Sequence, residues 1–482
     1  MRLLRGSMRV EVVARQRRPA VALTSLKDDF YNAFSSLQLS WSPLQMREDV
    51  IIIGGGLAGS EAAWQAANQG AKVTLYEMRP KEATPAHKTG ELAELVCSNS
   101  LGSTDPLNAA GILKEEMRRQ RSLIIRIADE VRVPAGSALA VDRDQFSFKI
   151  TQALESHPNV RILREEITDI PTEDVCIVAT GPLTSDKLSQ AIARLTQSNH
   201  LYFYDAISPI VDAESINMDV AFRASRYDKG GDDYLNCPMD EPTYQKFYEA
   251  LLTAEKVQPK SFEQIPYFEA CLPIEVMAER GRQTMQFGPL KPVGLKGPDG
   301  VRPFAVVQLR TENAHRSCYN LVGFQTRLTY GEQKRVFRMI PGLEQAEFLR
   351  YGSLHRNTFI NSPHLLRDTL QFKDRSTLFF AGQLVGVEGY TDSAAMGGLA
   401  GINAVRKLRG LPLVTPPPTT AHGCLVSYIT TTDPRHFQPM NMNFGLLPPL
   451  SVTVRDKERK RQLLSQRALE DHAAWMSRSG LS

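Results

Sequence analysis

The sequence predicts an α/β protein in which a Rossmann-like domain is assembled from two separated stretches, with a mixed α+β domain inserted between them. Three observations carry this reading. Residues 49–77 run as apolar strand, glycine-rich turn, helix-forming run, second strand and terminal acid. Residues 377–406 return to that texture, a strand entering a glycine-rich turn before a helix of small residues. Residues 200–350 hold aromatics, prolines and short strand-like runs without helical period. The expected divisions are 1–45, a disordered or untranslated extension; 46–199 and 351–413, the two parts of the Rossmann-like domain; 200–350, the insertion; and 414–482, a C-terminal tail. A chain of 482 residues is too long for one core, which suits this division.

Residues 1–45 are set aside from fold reasoning. Their six arginines, several serines and few acids resemble a transit peptide in composition. The plainer reading is that Met46 is the start, since MREDVIIIGGG opens directly on the first strand. In that strand Val50 to Ile53 is short and β-branched, as a buried strand requires. Gly54, Gly56 and Gly59 follow in the spacing GxGxxG. Gly54 permits the tight turn, Gly56 lets backbone approach a pyrophosphate, and Gly59 with Ala63 allows close helix–strand packing. The turn and helix start, Gly54, Gly55, Gly56, Leu57, Ala58 and Gly59, are therefore candidate cofactor contacts, with the helix N-terminus stabilising phosphate charge. Glu77 ends the second strand, 23 residues after Gly54, where a carboxylate accepts from a ribose 2′-hydroxyl and disfavours a 2′-phosphate.

The stretch after Glu77 is a loop rich in Pro, Thr and Gly, and Cys97 lies there in a polar run, Cys-Ser-Asn-Ser. Asp105 and Pro106 read as N-cap and first residue of a helix to about Arg119. Lys114, Arg118 and Arg121 share a face of it, read first as solvated and second as an anion or RNA contact. Residues 141–163 read as a helix and a strand, and 173–182 as a strand ending in Ala179, Thr180 and Gly181. An ATG after such a strand sits near the flavin in two-dinucleotide-domain flavoproteins, so these three join the candidate set and shift the cofactor from NAD towards FAD. The architecture expected is then a discontinuous, glutathione-reductase-like FAD-binding domain. Cys176, inside that strand, reads as core.

In the insertion, LYFYDAISPIV, YLNCPM and FAVVQLR look like a mixed sheet. Pro273 suits a helix N1 position and Gly281 its stop, which puts Cys271 just before a short helix. A thiol at a helix N-terminus gains thiolate character; on spacing alone the first reading is still a packed core cysteine. In the second Rossmann-like stretch, Gly382, Gln383, Asp392, Ala394 and Ala395 are the candidate flavin contacts, small residues letting the helix N-terminus lie close to the cofactor. The tail carries Arg455, Lys457, Arg459, Lys460 and Arg461, read as a solvated helix face before an RNA patch.

Bulk composition excludes several classes. Of 57 Lys/Arg and 53 Asp/Glu, residues 1–45 hold seven and three, leaving 50 of each sign. Overall charge therefore gives no support for nucleic-acid binding, and any such surface must be local. No apolar run approaches the ~20 residues of a membrane span. Six cysteines without a CxxC pair disfavour zinc and disulfides and suit a reducing cytosol; no metal is expected. No GxSxG, HExxH or P-loop is present.

Longer motifs carry a resemblance. GGGLAGSEAAWQAANQGAKVTLYEMRP, ELVCSNSLGS, EACLPIEVMAERG, YNLVGFQTRLTYGEQKRVF, IPGLEQAEFLRYGSLHRNTFINSP, GQLVGVEGYTDSAAMGGLAGINA and FQPMNMNFGLLPPL resemble the folate- and FAD-dependent tRNA uracil-5-methyltransferase family over about 48–470. They set the chain apart from the larger glucose-inhibited-division flavoproteins that modify the wobble uridine; residues 1–45 are the main departure. The resemblance implies methylation of C5 of the T-loop uridine, position 54 in tRNA numbering, in the cytoplasm. It implies 5,10-methylenetetrahydrofolate as carbon donor and FAD, reduced by NAD(P)H, as reductant. It places the two essential cysteines at Cys97 and Cys271, and His355, Arg356 and Asn357 near folate or flavin. The reading keeps Cys271 as the nucleophile towards C6 and Cys97 as the residue that moves the C5 proton or holds the transfer intermediate. Two other readings are a small-molecule NAD(P)H-dependent FAD oxidoreductase and a non-catalytic flavin-containing RNA-binding protein; neither gives the cysteines a role. Oligomeric state is not legible.

Overall fold

Short β-branched runs become the strands of a five-stranded parallel sheet. Its order is β16 (Leu378–Phe380), β7 (Val175–Val178), β1 (Asp49–Ile53), β2 (Lys72–Tyr76) and β6 (Val160–Leu163). All four pairings are parallel. β7 and β16 are buried along their whole length, which explains why neither shows polar alternation. The computed structural model describes residues 49–197, 201–206, 208–228, 231–257, 272–313, 315–352, 354–435 and 437–481, with backbone alone at 201–206, 228 and 354–357. Residues 1–45 and Cys271 lie outside them.

The right-handed unit from β1 through helix α1 (Leu57–Asn68) to β2 is the expected one. A helix far along the chain, α3 (Tyr390–Leu408), packs across α1 after the interposed α2 (Ala109–Arg119). The contact depends on glycine. A Cβ on Gly397 would lie 2.1 Å from the Ala58 carbonyl oxygen, and one on Gly401 would lie 2.5 Å from that of Ala62. The small residues of α3 therefore serve helix–helix packing.

Between these stretches lies a six-stranded sheet in the order β10 (Phe222–Arg223), β11 (Tyr234–Met239), β12 (Ala305–Thr311), β13 (Cys318–Leu321), β9 (Ile210–Asp212) and β14 (Phe348–Arg350). Its described pairings are all antiparallel, which corrects the expected mixed sheet. The short link from β12 to β13 can join only antiparallel neighbours. β12 is buried at all seven positions, so its sequence carries no alternation to read. Two smaller antiparallel sheets join β8 (Leu201–Ala206) to β15 (Leu354–Phe359), and β3 (Ser100–Ser103) through β5 (Ala138–Val141) to β4 (Arg132–Val133). One apolar core gathers side chains from 50–192 and 359–476, another from 211–346.

Three local expectations need correction. α2 starts at Ala109, not Pro106. The Asp105 carboxylate accepts the Leu107 N–H at 2.8 Å and its carbonyl accepts that of Asn108 at 2.8 Å, so a separate turn precedes the helix. Lys114 is fully buried, and Arg118 pairs with Asp129 at 2.8 Å, so this is not a solvated basic face. Pro273 is the N-cap of helix Ile274–Glu279 instead of its first residue, while Gly281 follows the C-cap Arg280 with φ +137°. In the tail, α4 (Ala421–Thr431) and α5 (Lys457–Ser479) pack on the first core through Cys424, Leu425, Leu464, Ala468 and Trp475. Arg455, Lys457, Arg459 and Lys460 are exposed; Arg461 lies over the Phe444 ring at 5.6 Å.

Candidate active site

The first cleft forms where the parallel strands end. Gly54 leaves β1 at φ +103°, and its N–H donates to the Tyr76 carbonyl at 2.8 Å. A Cβ on Gly54 would lie 2.6 Å from the carbonyl oxygen of Ala179, so the two turns interlock. A Cβ on Gly59 would lie 1.8 Å from the Gly54 carbonyl oxygen. At Gly56 it would meet nothing within 4 Å. Two of the three glycines are thus required by the protein's own backbone, while the third faces empty space at the N-terminus of α1. With its open mouth counted, the cleft space is about 980 Å³.

Gly54, Gly56, Leu57, Ala58, Glu77, Ala179, Thr180, Gly181 and Gln383 line this cleft. Gly55, Gly59, Gly382, Ala394 and Ala395 do not; Ala394 and Ala395 are buried within α3, and a Cβ on Gly382 would lie 2.7 Å from that of Ala58. Glu77 is buried and firmly held. Its Oε2 accepts the Gly55 N–H at 2.9 Å, and its Oε1 accepts the N–H and Nε–H of Arg79 at 3.0 and 2.9 Å. Burial would raise this carboxyl, but the Arg79 guanidinium and the backbone donors outweigh it and hold the group below its ordinary value. Arg79 in turn reaches Glu94 at 3.2 Å.

A second cleft, about 1110 Å³ with its open mouth counted, adjoins the first, and Val96, Pro182, Leu183, Gln383 and Tyr390 line both. Cys97 stands in its wall. The polar run around Cys97 is explained by its anchorage. The Tyr390 hydroxyl, at the start of α3, accepts the N–H of Cys97 at 2.8 Å and that of Ser98 at 3.1 Å. Asn99 is fully buried and donates to the carbonyls of Val141 and Thr311, both at 2.9 Å. Arg310, on β12, donates to Asn99 Oδ1 at 2.8 Å and to Ser98 Oγ at 2.6 Å. The cysteine loop is thereby fastened to α3, β5 and β12. Arg143, Arg310 and Arg350 all act electrostatically on Cys97, which makes its surroundings positive. Burial, then the Cys97 sulfur, pushes the Tyr390 phenol above its ordinary value, so its proton stays on at neutral pH. Cys176 and Cys237 are core thiols, pushed up to about 12 by burial.

Asp392 lines the second cleft, not the first. Its Oδ1 accepts the Met442 N–H at 2.6 Å, and burial pushes its carboxyl up. Behind it, burial pushes the Lys114 ammonium down to about 8, with the Asp392 carboxylate opposing. The backbone of His355, Arg356 and Asn357 lies in β15, opposite Asp205, Tyr204 and Phe203. Cys271 lies outside the described residues; three positions on, Ile274 donates its N–H at 2.8 Å to the carbonyl of Gln325, a wall residue of the second cleft. Sequence reasoning missed Tyr390, Arg143, Arg310 and Arg350. Tyr390 fell inside a resemblance motif, but nothing in its spacing marked it.

The sequence model of the family described as glucose inhibited division protein A matches residues 49–412. The methylenetetrahydrofolate–tRNA-(uracil-5-)-methyltransferase TrmFO of Heliobacterium modesticaldum is 60% identical over 429 residues, 89% of this chain and 98% of that protein. The protein of the same name from Aquifex aeolicus is 57% identical over 437 residues, 90% and 98% of the two chains. Among solved structures, Aquifex aeolicus GidA in its form I crystal superposes with a TM-score of 0.66 at 18% identity, over 90% of this chain and 76% of that one, and so shares the fold. The chain belongs to the methylenetetrahydrofolate–tRNA-(uracil-5-)-methyltransferase family, within the wider family of glucose inhibited division protein A.

Proposed function

We propose that this chain forms 5-methyluridine at position 54 in the T loop of tRNA, taking the carbon from 5,10-methylenetetrahydrofolate and the reducing equivalents from FAD kept reduced by NAD(P)H. The observation that carries the reading is the junction of the two clefts at Tyr390: a dinucleotide-type glycine cleft opens beside a second cleft walled by Cys97. We assign 46–199 and 351–413 to FAD and 200–350 to the substrate side, and place the reaction in the cytoplasm.

The first cleft fits FAD. Gly56 leaves the space a pyrophosphate needs, and an ionised Glu77 stands at the end of β2 to accept from a ribose hydroxyl. Bound there, FAD supplies the electrons that turn a transferred methylene into a methyl group. The chain's own residues handle the uracil. Uracil C5 is a poor nucleophile until a thiolate adds to C6 and makes C5 enolate-like. Cys271 takes that role. Cys97 takes the proton from C5 after the new carbon–carbon bond forms, as the carrier nitrogen departs from the transferred methylene. Once the methylene, freed from its carrier, has been reduced to a methyl group, expulsion of the Cys271 thiolate from C6 restores the C5–C6 double bond. We assign His355, Arg356 and Asn357 to the folate, whose carboxylates a guanidinium can pair. The T-loop uridine is tucked into tRNA tertiary structure and must be flipped out to reach Cys97.

The test is incubation of the protein with an unmodified tRNA transcript, donor labelled in its methylene carbon, and NADPH, followed by mass spectrometry of the digested RNA. Labelled 5-methyluridine in the T loop, absent when that uridine is changed, is expected. Cys97→Ala and Cys271→Ala proteins should each retain yellow FAD and lose the label. A parent protein that holds FAD and transfers no label would refute the assignment.

A further inference from the structure

Away from both clefts, α2, α4 and α5 bring together Glu116, His422 and His472, each fully buried. One ligand-capable atom from each lies within 4.8 Å of the others. The Glu116 carboxylate accepts the N–H of Ala421 at 2.7 Å and of His422 at 3.0 Å, and bonds His422 Nδ1 at 2.7 Å. The Gln120 amide nitrogen stands 2.9 Å from His472 Nε2; ligation through Nδ1 takes the flipped amide, with its oxygen accepting from Nε2–H. Each imidazole thus has one nitrogen engaged. The other two, His422 Nε2 and His472 Nδ1, are buried and have no hydrogen-bond partner.

Two orphaned imidazole nitrogens are unusual, because buried polar atoms almost always find partners. Their rings stand 5.6 Å apart between centroids, with planes only 26° from parallel. At Zn–N distances of roughly 2.1 Å, two nitrogens on a tetrahedral ion stand about 3.4 Å apart, and a ligand-capable atom of each of the three side chains lies within 4.8 Å of the others. Imidazole suits zinc-class divalent ions, and a ligating histidine commonly donates its second N–H to a carboxylate that fixes its ring. His422 already has that carboxylate in Glu116.

We propose that His422 Nε2 and His472 Nδ1 hold a divalent cation of the zinc class, with Glu116 orienting His422 through Nδ1 and water completing the coordination. The ion ties α5 to α2 and α4 and is structural, since none of the three side chains lines either cleft. This departs from the sequence expectation of no metal, which rested on cysteine spacing. His422 and Glu116 are 306 positions apart, so no local motif announces the pair.

The full-length protein, stripped with a chelator, is titrated with zinc chloride alone and its metal content measured by plasma mass spectrometry. One zinc per chain is expected, with an X-ray absorption spectrum showing two imidazole ligands. The zinc-loaded protein should unfold roughly 2–5 °C above the stripped one. His422→Gln and His472→Gln should lose both the zinc and the shift. Less than stoichiometric zinc in the parent overturns the proposal, as does zinc binding unchanged in both variants. If neither variant folds, the parent's absorption spectrum decides: a sulfur shell in place of two imidazoles overturns the assignment.

Discussion

Replacing Gly56 by Ala should separate cofactor binding from folding. Gly56 is the N-cap of α1, with φ −72° and ψ −170°, a conformation alanine adopts freely. A Cβ there meets no atom of the protein within 4 Å. The fold therefore loses only the N-cap preference of glycine over alanine, about 1 kcal/mol or less. The methyl group does occupy the space through which a pyrophosphate reaches the N–H groups at the start of α1. Losing two charge-assisted hydrogen bonds at about 1.5 kcal/mol each removes about 3 kcal/mol of binding, roughly a hundredfold in Kd. Gly59→Ala is the counterpart. Its Cβ would stand 1.8 Å from the Gly54 carbonyl oxygen, so backbone must move, and the fold should lose about 3 kcal/mol or more. Fluorescence titration of stripped protein with FAD gives Kd, and thermal unfolding of the same preparation gives stability. The expected pattern is a cofactor-free Gly56→Ala protein that unfolds near the parent temperature, against a Gly59→Ala protein that unfolds well below it. Parental FAD affinity in Gly56→Ala would refute the placement of the phosphate at this turn.

Tyr390→Phe removes the acceptor of two backbone N–H groups beside Cys97. Stability should fall by about 1–3 kcal/mol, and methylation by about a hundredfold if the loop shifts by 1 Å, while FAD stays bound; single-turnover label transfer and flavin absorbance check both halves. Lys114→Met should stabilise the protein at pH 7. Burial takes this ammonium from 10.5 down to about 8, so the unfolded chain binds its proton more tightly and stability falls as pH drops from 10.5 to 8. Removing the group recovers at most about 3 kcal/mol below pH 8 and nothing above pH 10.5, to be read from urea melts across that range.

Periodicity made the first Rossmann-like unit fully legible, because each of its parts has a local cause. Gly54 needs its own positive φ, Gly59 is pressed by the Gly54 carbonyl five positions back, and Glu77 closes the strand it ends. The second unit was legible as a strand and helix but not in its purpose. A run of small residues is the same string whether it approaches a cofactor or another helix. Only the tertiary arrangement shows Gly397 and Gly401 spent on Ala58 and Ala62. Lys114 was misread for a related reason: helical spacing fixes which residues share a face, not whether that face meets water.

The cysteine loop shows the limit most directly. Cys-Ser-Asn-Ser marks a polar loop, yet each anchor comes from far away: Tyr390 is 293 positions from Cys97, and Arg310 is 211 from Asn99. These partners bear on the proposed chemistry. A cysteine on a free loop would sample many positions, whereas here the loop is held by a residue of α3 on one side and by β12 on the other. Because Tyr390 also walls the first cleft, one hydroxyl holds the distance between the cysteine and the cofactor space. Any movement of α3 against the parallel sheet then moves both together. The glycine contacts that press α3 onto α1 are accordingly part of the machinery that positions Cys97, although neither glycine touches it.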